Sequence, residues 1–168
     1  MPITPDDKNW TWVLERTCPD CGFDGPSVSR DDVARLLHEN VDEWPALLAR
    51  PDAVMRPTDE QWSALEYGCH VRDVFRLYEH RLDLMLNEDA PHFANWDQDV
   101  TAIEDRYDLQ DPAVVGGDLV AAGRSLADRF ASVRDDDWER TGHRSDGATF
   151  TVDTFARYLL HDPVHHVD

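Results

Sequence analysis

Apolar positions recur at helical spacing in four stretches of the chain, and no stretch alternates convincingly as a strand would. In the first, Val33, Leu36, Leu37, Val41 and Trp44 fall on one face. Ser29 and Asp32 stand ahead of them in the order of a capping box, with Asp for the usual Glu. Pro45 predicts a kink or a split there, because an interior proline removes a backbone hydrogen bond and clashes with the preceding turn. Leu47 and Leu48 continue the apolar face, and Arg50-Pro51 ends it. Thr58-Asp59-Glu60-Gln61 has the capping-box form and predicts the longest helix, over residues 59–87. One stripe on it runs through Tyr67, His70, Val74, Leu77, Arg81 and Leu84, another through Trp62, Leu65, Cys69, Phe75 and Leu82. Apolar residues on more than one side belong to a helix packed between neighbours.

Residues 88–110 read as a long acidic connection carrying Phe93 and Trp96. Asp111-Pro112 is a strong helix start, and Val114, Val115, Leu119, Val120, Leu126 and Phe130 carry a third helix to about Val133. Thr141 to Ala148 is polar and holds glycine, as a turn or short hairpin would. Thr151 can cap a last helix whose Val152, Phe155, Ala156, Leu159 and Leu160 pack inward. The expected fold is an all-α four-helix bundle over residues 29–168, with a crossover connection between the second and third helices. Residues 1–28 read as an N-terminal extension that lays Trp10, Trp12, Val13 and Leu14 on the bundle.

Composition narrows the function classes. The 168 residues carry a formal charge of −19 from 35 acids and 16 bases. Every base but Lys8 is arginine. Such a surface has no cationic face for nucleic acid or an anionic membrane. No apolar run approaches the roughly 20 residues that span a bilayer, and Met1 to Asn9 shows no apolar signal region. The expected setting is cytoplasmic, and the expected partner a small-molecule substrate. Helical bundles of this kind often pair, which makes a homodimer the assembly to test.

The candidate chemistry lies in histidine and cysteine. Tyr158-Leu159-Leu160-His161-Asp162-Pro163-Val164-His165-His166 places His161 and His165 one helical turn apart. Two imidazoles need a further ligand from elsewhere in the chain. His70 sits within an apolar helical stripe, where an imidazole must find a partner for its nitrogens. That partner could be Asp73, Tyr67 or Tyr158, or a metal shared with the C-terminal pair. Three cysteines are an odd number and no disulfide framework. Cys18-Pro-Asp-Cys21-Gly22 leaves three readings: a zinc site completed by a distant histidine, a redox pair, or two thiols at a turn. Cys69 precedes His70 by one helical position and so points about 100° away from it.

The segments Trp62 to Asp73 and Tyr158 to His166 resemble those of the DinB/YfiT superfamily of small metal-binding four-helix proteins. The resemblance is strongest to actinobacterial DinB-like proteins related to mycothiol-dependent maleylpyruvate isomerase. It runs over about residues 30–168 and takes in Asp137 to Gly142 and Phe150 to Val152. It implies a three-histidine metal site of His70, His161 and His165, holding a divalent Zn, Ni or Fe. It also implies that the metal activates mycothiol or a similar thiol for transfer or isomerisation of a small electrophile. Asp162 and Tyr158 are then candidates for handling protons, with Asp73 and Glu66 beside them. Trp96 and Asp97 are candidates for lining the cofactor pocket. The alternatives are a non-catalytic metal-binding or stress-response protein and a metal-dependent hydrolase. Pro163 departs from the pattern: it should bend the last helix, and His166 could then replace His165 as ligand.

Overall fold

The computed structural model describes residues 10–167, so the expectations for Met1 to Asn9 lie outside the described residues. Five α-helices run in chain order: α1 (Val33–Leu48), α2 (Ala64–Asn87), α3 (Gln98–Glu104), α4 (Pro112–Ala131) and α5 (Val152–Val167). A hairpin of β1 (Thr141–His143) and β2 (Thr149–Thr151) precedes α5. The long helices α1, α2, α4 and α5 form a four-helix bundle, with α4 packed against both α1 and α2 and α5 closing on α1 and α2. No helix among the described residues is long and apolar enough to cross a membrane.

Local chemistry sets the boundaries. The second helix starts later than the Thr58 box predicts. Ser63 caps it, its hydroxyl accepting from Glu66 N while Glu66 Oε1 accepts from Ser63 N. Arg56 holds the same carboxylate through two hydrogen bonds of 2.8 and 2.6 Å. Thr58 and Gln61 belong to a separate turn, closed by Gln61 N donating to Thr58 O. Both boxes satisfy the same sequence rule, but only Ser63 opens directly onto the apolar stripe. Ser29 does not cap α1; its hydroxyl donates to the Asp32 carboxylate across a short 3₁₀ turn, and the α-helix begins at Val33. The acidic connection is not all loop, because Asp97 Oδ1 accepts from Asp99 N and Val100 N and starts the seven-residue α3. The hairpin and the Thr151 cap stand as expected, with Thr154 N donating to Thr151 Oγ1.

Neither interior proline breaks its helix: α1 runs through Pro45 and α5 through Pro163. Pro163 is buried, and its carbonyl accepts from Asn40 Nδ2 of α1 at 3.1 Å. Asn40 Oδ1 in turn accepts from Trp44 Nε1, so α1 clasps α5 at the proline. Gly123 of α4 sets the approach of α1 and α2, since a Cβ there would lie 2.3 Å from Val41 and 3.0 Å from Phe75. The N-terminal segment is part of the body: Cys18, Phe23 and Val28 join one hydrophobic core with α1, α2, α4 and α5.

Candidate functional site

On α5 the residues His161, Asp162, His165 and His166 make two pairs spaced four apart, His161 with His165 and Asp162 with His166. Because α5 stays helical through Pro163, the pairs differ by one residue and face directions about 100° apart. The Asp162–His166 stripe meets α2. His70 Nε2 lies 3.2 and 3.1 Å from the two Asp162 carboxylate oxygens, and His166 Nε2 lies 3.0 Å from Asp162 Oδ1. The His161–His165 stripe meets the N-terminal segment, where Cys18 Sγ lies 3.9 Å from His165 Nδ1.

The structure thus divides the three-histidine set expected from sequence. His70 does not gather with His161 and His165. It gathers with Asp162 and His166, and His161 and His165 gather with Cys18 and Cys21; in each group one donor atom per residue lies within 4.8 Å of the others. Asp162, a proton-handling candidate from sequence, stands among the residues that could hold an ion with His70. Among the side chains open to His70 from sequence, Asp73, Tyr67 and Tyr158, none hydrogen-bonds it; its Nε2 meets Asp162, and Asp73 accepts from the Tyr107 hydroxyl and Arg72 Nε. Glu66 is committed to its cap and to Arg56.

Donor chemistry fits a cation at His70, Asp162 and His166. Burial would raise the Asp162 carboxyl, but the adjacent His70 and His166 outweigh it and hold the group well below the usual carboxylate range. The anion is therefore preformed between two imidazoles. The 2-His-1-carboxylate set leaves coordination positions open. His70 is 1% exposed, with its Nδ1 buried and unpartnered by any hydrogen bond. Its ring is held by Trp62 at 5.6 Å and by a near-parallel Trp96 at 5.8 Å, while Tyr67 stacks on His166 at 4.7 Å.

These residues line an open cleft of about 940 Å³. Trp96, Asp97 and Tyr158 lie on its wall as well, and Asp97 is also the cap of α3. Tyr158 accepts a hydrogen bond from Arg144 Nη1 at 3.0 Å; burial raises its phenol above the ordinary value, so it keeps its proton. Three arginines also reach the cleft, Arg50, Arg81 and Arg144, none of which the sequence marks as a site residue. Arg81 is buried, donates to Ala94 O and lies 5.1 Å from the Phe93 ring. Burial lowers its pKa, but a guanidinium stays charged. Arg144 is tied to Asp146 through Nε and Nη2 at 2.9 and 2.7 Å, and Asp52, Asp97 and Asp99 line the same cleft.

Cys69 takes no part. It points into the core, and burial pushes its thiol up to about 12. At about pH 8 its thiolate fraction is on the order of 10⁻⁴. Iodoacetamide should therefore leave Cys69 unmodified in the native protein and label it only after denaturation, as peptide mass mapping would read.

Comparison with known proteins agrees with this architecture. A family model described as the DinB superfamily matches residues 50–168. No functionally curated protein matches the chain by sequence. Among solved structures, YfiT from Bacillus subtilis is similar at 17% identity and a TM-score of 0.74, over 84% of this chain and 85% of its own. YfiT is described as a probable metal-dependent hydrolase with an unusual four-helix bundle topology. With more than half of its length matched by the family model, the chain belongs to the DinB superfamily.

Proposed function

We propose that this protein is a metal-dependent enzyme that brings a low-molecular-weight thiol of the mycothiol type against a small anionic electrophile. The observation that carries the reading is the group of His70, Asp162 and His166 at the wall of an open cleft. Two imidazoles and one carboxylate suit Zn²⁺, Ni²⁺ or Fe²⁺. A divalent cation held there supplies a Lewis acid that lowers the pKa of a thiol or water beside it and polarises the electrophile.

The chain's own residues do the rest. Arg81 and Arg144 line the cleft with Tyr158 and are the cations against which an acidic group of the substrate would lie, Arg144 being held in place by Asp146. Tyr158 accepts from Arg144, which leaves its phenolic proton to donate to substrate. Trp62 and Trp96 fix the His70 ring and give the cleft flat apolar faces against which a planar substrate can pack.

The resemblance to thiol-dependent DinB-like proteins supports the thiol as nucleophile. The likeness of fold to YfiT supports water as the second reading. The test incubates metal-loaded protein with an aryl halide or a maleyl-type acid, with and without thiol. Thiol-dependent adduct or isomer, lost in His70→Ala, is the expected result. Product without thiol would replace transfer by hydrolysis. No turnover with Zn²⁺, Ni²⁺ or Fe²⁺ in either arm would overturn the enzymatic reading.

A further inference from the structure

We propose that Cys18, Cys21, His161 and His165 form a second metal site, a closed structural zinc centre that ties the N-terminal segment to α5. This site does not depend on a metal at His70, and its ligands are not shared with that group.

The donor set is complete within one chain. Two thiols and two imidazoles fill a tetrahedron and leave no position for substrate, which is the composition of structural rather than catalytic zinc. Ligand atoms around a tetrahedral zinc lie about 3.3–3.8 Å apart. The four donors here lie within 4.8 Å of one another, and Cys18 Sγ and His165 Nδ1 are 3.9 Å apart, so a small contraction closes the shell. No disulfide joins Cys18, Cys21 and Cys69.

The surroundings are those of a built site. Cys18 is 1% exposed and His161 6%, and His161 Nε2 is buried without a hydrogen-bond partner. A coordinate bond would satisfy that nitrogen, where solvent cannot reach it. The CxxC turn is shaped for convergence. Gly22 takes a left-handed φ of 76° that a side chain would resist, and its N–H donates to Cys18 O while Cys18 N donates to Phe23 O. Gly25 comes so close to Val13 that a Cβ would lie 2.3 Å from the Val13 carbonyl oxygen, which folds the segment back on itself. Trp10 packs on both imidazoles, its ring 5.3 Å from His161 and 5.4 Å from His165.

Zinc binding displaces the two thiol protons to solvent and joins residues 18–21 to residues 161–165 across almost the whole sequence. It would also act on the cleft. Trp10 and the α5 histidines lie on the cleft wall, and Asp162 and His166 follow His161 and His165 by one residue each. A metal that fixes the rotation of α5 on one face thereby fixes the donors on the other.

The test is a Co²⁺ titration of the full chain, stripped of metal and with its thiols reduced. The expected result is two equivalents bound, one of them giving thiolate-to-cobalt charge-transfer absorption in the near ultraviolet. The Cys18→Ser, Cys21→Ser double variant should lose that absorption and one equivalent while keeping the other. His70→Ala should keep the absorption and lose the other equivalent. Loss of the His70 equivalent alone would remove the proposed activity and leave this site standing. A wild-type protein with reduced thiols that takes up Co²⁺ without charge-transfer absorption would overturn the proposal, whether or not the variants fold. So would a double variant that is folded and still binds two equivalents.

Discussion

Asp162→Ala should lower metal affinity at the His70 group by more than about 100-fold and abolish turnover with it. Loss of a mere supporting partner of a metal ligand already costs about 10- to 100-fold, and Asp162 is the anion between the two imidazoles. The low pKa of its carboxyl means that the charge is present at any working pH. Asp162→Asn is the sharper variant, since it keeps the shape and removes the charge. Competition titration against a chelator measures the affinity, and a folded Asp162→Asn protein that binds as tightly as wild type would remove Asp162 from the ligand set. The same residue contributes to the metal-free fold. A carboxylate with a depressed folded pKa adds stability that is present above its unfolded pKa and is lost as pH falls through the folded value. Metal-free protein should therefore lose this contribution below about pH 4.

Trp44→Ala should cost about 3–5 kcal/mol, the range for removing a large buried aromatic side chain. Trp44 is 1% exposed, and its indole N–H donates to Asn40, which in turn holds the Pro163 carbonyl. Its loss empties space beside the cleft and releases the clasp between α1 and α5. Urea unfolding reads it as a lower midpoint at unchanged slope. Trp44→Phe restores much of the volume but not the donor, and should cost about 1–2 kcal/mol. Equal midpoints for Trp44→Ala and wild type would show that this contact does not hold the bundle.

Much of the fold is legible in the residues. The 3.6-residue period of Val33 to Leu48 and of Val152 to Leu160 needs no tertiary information, because burying one face of each helix dictates it. Asp111-Pro112 and Thr151 announce their helices by satisfying backbone N–H groups at the first turn. Competition between such signals is harder to read. Thr58 and Ser63 each head a capping box, and burial of Leu65 and Glu66 decides for Ser63. Pro163 looks like a helix breaker along the sequence. In the bundle the buried turn around it continues helical while Asn40 takes its carbonyl.

What the sequence by itself determined is that candidate metal ligands recur four apart on the last helix and that His70 faces inward from the second. The resemblance points to the His161–His165 stripe, whereas His70 gathers with Asp162 and His166. His161 with His165 and Asp162 with His166 satisfy the same spacing of four, and a choice between them is a rotation of α5 by about 100° about its axis. That angle is not a property of the helix. It is set by what packs on each side: Phe23, Trp10 and the CxxC turn against His161, and His70, Tyr67 and Trp62 on the side of Asp162 and His166. Local propensity makes the helix, but only contacts between segments far apart in sequence fix which of its faces meets which neighbour.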